Sequence, residues 1–128
     1  MRLWHYKLIP VLPNKMLVAQ WRECIAIKRQ WEKGTLKHRL VSYVMDYDRG
    51  NFNFYTALII QEMERRNIKY KENYAIEIRE FCKSIIINGY YPEHNDRYLT
   101  QCYYNLQEKY DRKIITECEW LKIKGENK

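Results

Sequence analysis

The fold is decided by the stretch Asn14-Lys-Met-Leu-Val-Ala-Gln-Trp-Arg-Glu-Cys-Ile-Ala-Ile-Lys-Arg-Gln-Trp-Glu-Lys33, whose pattern predicts one long helix. Pro13 and Asn14 are typical of a helix start, and Gly34 follows the last turn as a stop signal. At about 100° per residue, the apolar side chains spread over well more than half of the circumference. They are Met16, Leu17, Val18, Trp21, Cys24, Ile25, Ile27 and Trp31. A helix that is apolar nearly all round lies at the centre of its domain.

A narrow stripe of this helix is not apolar, and it consists of Lys15, Ala19, Arg22, Glu23, Ala26, Arg29 and Gln30. The stripe places Glu23 beside Arg22, with an alanine one turn before it and another one turn after it. One interpretation is a solvated ion pair flanked by residues chosen for helix propensity. The other is a functional carboxylate, since small neighbours would let another group come close to it.

Length and charge limit the possible number of domains and the possible classes of partner. With 128 residues the chain is predicted to form one domain, 1–128, that buries a sizeable core without disulfides. A formal charge of +7 favours a polyanionic partner, although many basic proteins bind none. The 12 tyrosines and 4 tryptophans suit either a dense core or the stacking of bases.

The four cysteines are scattered, with neither a CxxC pair nor a histidine beside a cysteine pair, so we expect no metal and no cofactor. Cys24 and Cys82 lie in apolar stretches and are predicted to be buried thiols in a reducing, cytoplasmic compartment. The N-terminal residues lack the features of a signal peptide, and we expect no membrane contact.

The remaining segments predict an all-α, compact single-domain helical bundle with an ordered, extended N-terminal arm over residues 1–13. Helices are predicted over 36–47, 52–66, 72–87 and 96–110, with a loop over 89–95. Residues 114–121 are expected to dock as a short helix, and residues 125–128 to fray. The β-branched run 85–87 leaves a short strand as an alternative.

The heptapeptide Leu17-Val-Ala-Gln-Trp-Arg-Glu23 resembles the motif of the pyrimidine-dimer DNA glycosylases, the phage endonuclease V family. The motif lies at a similar distance from an ordered N-terminus, and the resemblance is strongest over residues 1–30 and 90–95. In that family an Arg-Glu pair on a buried helix faces the chain's own terminal amine. The resemblance therefore implies two catalytic parts, the terminal amine and Glu23.

The resemblance assigns the amine to Met1, because the bulky Arg2 that follows is expected to keep Met1 in place. An α-amino group has an ordinary pKa near ~7.7–8, against about 10.4 for a lysine side chain, so it is a usable nucleophile at neutral pH. Attack on C1′ of a damaged nucleotide would expel the base and leave a Schiff base. That imine would permit β-elimination of the 3′ phosphate, with a carboxylate moving the protons.

The same resemblance implies DNA contacts. Arg2 and Arg22 carry over as phosphate ligands, and Lys109 matches a Glu-Lys pair that binds DNA in the family. The family's next arginine on the first helix falls at Ala26 here, so Arg29, about one turn further on, is the candidate substitute. Phosphate contacts of this kind would dominate affinity and make it depend on salt.

Three histidines are candidate neighbours of the site. His5 lies in the arm, and His94 lies in the loop Tyr91-Pro-Glu-His-Asn95, whose bland interpretation is a turn with Asn95 as a helix cap. His38 lies between Lys37 and Arg39, where a solvated basic face is expected. The cluster 37–39 and the pair Arg65-Arg66 extend the basic footprint or are simply solvated.

The sequence therefore predicts a monomeric DNA-repair glycosylase with coupled abasic-site lyase activity, acting on double-stranded DNA that contains UV-induced pyrimidine dimers. Alternatives stay open at this level. The same fold could act on abasic sites or on another base lesion. The chain could also be a non-catalytic DNA-binding helical module, or a protein-interaction domain whose charge only aids solubility.

Overall fold

The computed structural model describes residues 1–83 and 89–126. Five α-helices occupy this part of the chain: α1 (Asn14–Lys33), α2 (Arg49–Arg65), α3 (Glu72–Cys82), α4 (Asp96–Asp111) and α5 (Glu117–Glu126). Two 3-10 helices add Tyr6–Val11 and Ser42–Asp46, and the described residues contain no strand. The prediction of a compact all-α fold is confirmed.

Helix α1 has the predicted bounds and lies against both α2 and α3. It ends as expected, because Gly34 adopts a left-handed conformation with φ 73° and the N–H of Thr35 turns back to the carbonyl oxygen of Gln30 at 2.8 Å. The unexpected member of its buried face is Lys28. Its ammonium group is satisfied by the carboxylates of Glu32 at 2.9 Å and Glu77 at 3.2 Å.

The N-terminal arm is ordered, as predicted, but it is not extended throughout. Residues Tyr6–Val11 form a 3-10 helix, which begins with the N–H of Leu8 bonded to the carbonyl oxygen of His5 at 2.9 Å. Pro10 fits inside it because so short a helix asks for few backbone donors. Leu3 and Leu8 are completely buried, so the arm is part of the core.

Arg66 anchors the far end of this arm. Its guanidinium donates to the carbonyl oxygens of Leu12 at 2.6 Å, Pro10 at 3.0 Å and Ile9 at 3.2 Å. The same group pairs with Glu62 at 2.6 Å, and the Arg66 side chain is only 10 % exposed. This arginine, expected on a basic surface, instead fastens α2 to the arm.

The predicted helix over 36–47 is wrong. Only Ser42–Asp46 is helical, as a 3-10 turn, while the residues before it form turns. The buried side chains are Leu36, Val41 and Val44, whereas Leu40, which an α-helix would place between them on the same face, is exposed to solvent. Contact with the core therefore overrides the apparent period of the sequence.

Two further boundaries differ from prediction. Helix α2 begins before 52, because the carboxylate of Asp48 accepts the N–H of Gly50 at 2.7 Å and acts as a cap where the sequence suggested a break. Helix α3 ends at Cys82 and not at 87, since Lys83 turns left-handed with φ 52°. The predicted stop at 88 and the alternative strand over 85–87 lie outside the described residues.

The C-terminal part of the described chain is more helical than expected. Asn95 caps α4 as predicted, accepting the N–H of Tyr98 at 2.9 Å. Helix α5 replaces the short segment predicted over 114–121, and it continues through Gly125, which was expected to fray. Its start is a capping box in which the side chains of Thr116 and Glu119 each accept the other's backbone N–H.

The thiols of Cys24 and Cys82 are buried, as predicted, and so is that of Cys102. Within residues 1–83 and 89–126, no helix combines the length and the apolar character that crossing a membrane requires.

Candidate active site

A cleft of about 390 Å³ lies where the start of the arm meets α1 and α4. The arm contributes Met1, Arg2 and Trp4, while α1 contributes Met16, Ala19 and Glu23. The opposite wall comes from α4 and the residues just after it, namely Asn105, Glu108, Lys109, Arg112 and Ile114. Four of the predicted site residues, Met1, Arg2, Glu23 and Lys109, therefore share one cavity. Ala19, one turn before Glu23, leaves the space that the sequence suggested.

The side-chain amide of Gln20 holds this arrangement together. Its Oε1 accepts the N–H of Trp4 at 2.8 Å and the hydroxyl of Tyr55 at 3.2 Å. Its Nε2 donates to the carbonyl oxygen of Arg2 at 2.9 Å and to Oε2 of Glu23 at 3.1 Å. Gln20 is fully buried, and all four of its hydrogen-bonding positions are used. The first residues of the arm are thus fixed directly to α1.

Glu23 lies half-buried at the edge of this network. Burial raises the pKa of its carboxyl above the usual range, whereas the positive charges of the terminal amine, Arg2, His38 and Lys109 act in the opposite direction. Burial is the larger effect, so the carboxyl holds a proton more readily than an exposed glutamate does. A carboxyl whose pKa is raised in this way is a better proton acceptor than an exposed glutamate.

The nitrogen of the Met1 amine lies 3.4 Å from Nε2 of His38. The sequence predicts a solvated basic face for His38, so this contact was missed. No local signal reveals it, because the turn after α1 brings His38 to the amine only in the folded chain. Gln20 was missed too, although a glutamine among the apolar positions of a buried helix is a visible anomaly.

The predicted phosphate ligands are not all in one place. Arg2 lines the cleft with its guanidinium 5.2 Å from the centre of the Trp4 ring, and Lys109 lines the facing wall. Arg22 is exposed in a neighbouring groove that it shares with Arg29. Arg29 makes a two-pronged ion pair with Glu77, at 3.0 and 3.1 Å.

His5 and His94 are both buried, and neither is among the described residues that line the cleft. Nδ1 of His94 accepts the N–H of Tyr6 at 3.2 Å, and its Nε2 contacts the hydroxyl of Tyr43 at 2.8 Å. Burial lowers the pKa of His94 to about 3. Burial also lowers the pKa of His5, whose ring lies 5.4 Å from that of His94. Both rings support the arm from within the core.

One protein-family model, described as pyrimidine dimer DNA glycosylase, matches residues 1–77. The match covers more than half of the 128 residues, and the chain belongs to the pyrimidine dimer DNA glycosylase family. The resemblance inferred from the heptapeptide is confirmed, and membership assigns the protein to DNA repair glycosylases of pyrimidine dimers. Neither the curated proteins nor the solved structures contain a match.

The matched region contains the arm, α1 and α2, and therefore Met1, Arg2, Gln20, Glu23 and His38. The wall formed by α4 lies outside it.

Proposed function

We propose that the protein is a DNA glycosylase with coupled abasic-site lyase activity, which cuts DNA at UV-induced cyclobutane pyrimidine dimers through a Schiff base on the amine of Met1. The observation that carries this proposal is that Met1 and Glu23 line the same cleft, from two segments that Gln20 connects. A nucleophile and a proton-transferring group in one cavity are what imine chemistry requires. The roles of the individual residues are part of the proposal.

In the first step the lone pair of the Met1 nitrogen forms a bond to C1′ of the damaged nucleotide. The glycosidic bond breaks, and the departing base takes its electron pair. The nitrogen then carries an excess proton, which passes to the carboxylate of Glu23. The sugar ring then opens as the C1′–O4′ bond breaks, and O4′ takes the proton from Glu23. This leaves a protonated imine between the Met1 nitrogen and C1′, with Glu23 a carboxylate again.

The second step uses the imine as an electron sink. The positive nitrogen makes the protons at C2′ acidic, so Glu23 removes one of them. The electrons of that C–H bond form a double bond, and the 3′ phosphate leaves with its own electron pair. The strand is cut, and water releases the sugar fragment from Met1. No metal or cofactor takes part in this scheme.

Positive side chains around the cleft hold the substrate. Arg2 and Lys109 lie on facing walls, and in the proposal each binds a phosphate next to the flipped nucleotide. Arg22, exposed one position before Glu23, binds the damaged strand further along, and Arg29 extends this contact. A dimer is already poorly stacked, so less energy is needed to flip a nucleotide out of the duplex at that place.

The test is reductive trapping with borohydride. The protein, with a free Met1 amine verified by mass spectrometry, is mixed with a duplex containing one thymine dimer and, separately, with a matched abasic duplex. We expect a covalent adduct on both, mapped to Met1 by peptide mass spectrometry.

An adduct on the abasic duplex alone would keep the amine chemistry and exclude the dimer as substrate. No adduct on either duplex, with folded protein and salt-sensitive DNA binding, would favour a non-catalytic binding module. An adduct mapped to a lysine in place of Met1 would contradict the assigned nucleophile.

A further inference from the structure

His38 contacts the atom to which the proposed reaction gives the central role. The contact joins Nε2 of its ring to the Met1 nitrogen at 3.4 Å, across 37 positions of the sequence. His38 is also close enough to Glu23 that, in its protonated form, it would lower the pKa of that carboxyl. The amine, the imidazole and the carboxyl therefore form one group at the edge of the cleft.

The turn after α1 holds His38 in this position. The carbonyl oxygen of His38 accepts the N–H of Val41 at 3.1 Å and that of Ser42 at 2.9 Å. Its ring is held as well, since Nδ1 accepts the N–H of Leu40 at 3.3 Å. With the backbone and one ring nitrogen both engaged, Nε2 is directed toward the amine.

The same contacts define where the ring proton lies. A neutral imidazole carries one proton, and a nitrogen that accepts a hydrogen bond cannot carry it. Because Nδ1 accepts from Leu40, the proton is on Nε2. In the neutral ring Nε2 therefore faces the Met1 nitrogen as a donor, and it can bind the free amine through the lone pair that later forms the C–N bond.

We propose that His38 is a further catalytic residue, whose Nε2 makes a hydrogen bond to the Met1 nitrogen and holds that nitrogen aimed into the cleft. This inference rests on the proposed function, in which the amine is the nucleophile. As C1′ arrives, the lone pair leaves the long hydrogen bond and forms the C–N bond. The excess proton on the nitrogen goes to Glu23, because Nε2 already carries a proton and cannot accept it.

The test compares wild type with His38→Ala, His38→Gln and the control Met45→Ala, which alters an exposed residue of the neighbouring 3-10 helix. The rate of borohydride trapping is measured at pH 7 on an abasic duplex, with protein in saturating excess. A hydrogen bond of ordinary strength corresponds to a rate roughly three- to tenfold lower for His38→Ala. The Gln variant retains an N–H donor and is expected to recover part of the loss, and the Met45→Ala rate is expected to match wild type.

A second measurement needs no DNA. The variants are treated briefly with an acylating reagent at pH 7, and labelling of the Met1 amine is compared with that of the protein's lysines by mass spectrometry. We expect the labelling rate of the Met1 amine to differ between His38→Ala and wild type, with lysine labelling unchanged. Because His38 is exposed, its replacement should leave the fold intact.

The outcomes separate the two proposals. Wild-type trapping at Met1 together with unchanged trapping and labelling in His38→Ala would overturn the role of His38 alone. Absence of any Met1 adduct with wild type would overturn the proposed function, and the catalytic role of His38 with it, whatever the labelling shows.

Discussion

Nε2 of Gln20 donates to Oε2 of Glu23 at 3.1 Å, and the same nitrogen donates to the carbonyl oxygen of Arg2 at 2.9 Å. One buried amide thus fixes the distance between the arm and the carboxyl on α1. The two proposed catalytic groups keep their spacing through a residue that never touches the substrate.

Gln20→Glu is the sharpest test of this arrangement. The variant keeps the shape and the oxygen that accepts from Trp4, but it places a second carboxylate against Glu23. A like charge raises the pKa of a carboxyl, so the acidic limb of the pH profile for trapping should move to higher pH. If Gln20→Glu only loosened the arm, the trapping rate would fall at every pH and the acidic limb of the profile would not move.

Glu23→Gln should separate activity from stability. Trapping on the abasic duplex is expected to fall by about 10²-fold or more, because the proton acceptor is lost. Burial disfavours the charged form of Glu23 in the folded state, so the midpoint of urea unfolding at pH 7 should stay equal or rise. Full activity of this variant would exclude Glu23 from the mechanism.

The exposed Arg22 predicts a measurable salt effect. If it binds one phosphate, Arg22→Ala should reduce the slope of log affinity against log salt by about 0.9. For Arg29, which pairs with Glu77, the informative variant is Glu77→Gln. It releases the arginine and should tighten binding and steepen the slope, whereas an unchanged slope would remove Arg29 from the DNA interface.

Arg66 and Arg65 form a matched pair for testing how firmly the arm is held. Both arginines pair with Glu62, and Arg66 also donates a hydrogen bond to the arm, at the carbonyl oxygen of Leu12. Arg66→Ala leaves several carbonyl oxygens without a donor and should lower the unfolding free energy by about 2–4 kcal/mol. Arg65→Ala, at a side chain that is 60 % exposed, should change it by less than about 0.5 kcal/mol. Equal effects in urea denaturation would contradict the anchoring role of Arg66.

The buried histidines predict a loss of stability in mild acid. The pKa of His94 is about 3 in the folded protein, against an ordinary value of 6.5, so the unfolded chain binds a proton first as the pH falls. The stability that depends on a neutral His94 is fully present above about pH 6.5. It is lost progressively toward pH 3, by up to about 1.4 kcal/mol of unfolding free energy per pH unit.

Urea unfolding at pH 7 and pH 5 should therefore show a smaller change for His94→Gln than for wild type. Glu23 acts in the opposite direction because its pKa is raised, and for this reason both proteins in the comparison retain Glu23. A pH dependence identical in the two proteins would mean that His94 is not the group responsible.

The sequence predicted what depends on local periodicity. Helix α1 has the expected bounds, and Glu23 lies beside a small residue in a cavity, because both follow from spacing along one helix. The caps at Asn95 and Gly34 likewise depend on residues close in sequence. The spacing of Thr116 and Glu119 is likewise that of a capping box, and it indicates a later start for the last helix than residue 114.

What failed depends on distant contacts. The spacing within 36–47 predicts a helix, but Leu36, Val41 and Val44 are placed by the core that they enter. The contact between His38 and Met1 depends on the turn that replaces that helix, and no pattern within the turn announces it. Nothing near Arg66 in the sequence distinguishes it from a surface arginine, because its partner Leu12 lies 54 positions away in the arm.

The cleft joins the arm to α4, and this imposes an order on its assembly during synthesis. A ribosome adds residues one by one from Met1, at ~5–20 per second, so the amine exists long before Lys109 and Arg112 have been added. A nascent chain that has completed only α1 and α2 has the proposed nucleophile and proton acceptor without the wall that faces them. The cleft proposed to hold DNA is therefore complete only after α4 has been synthesised.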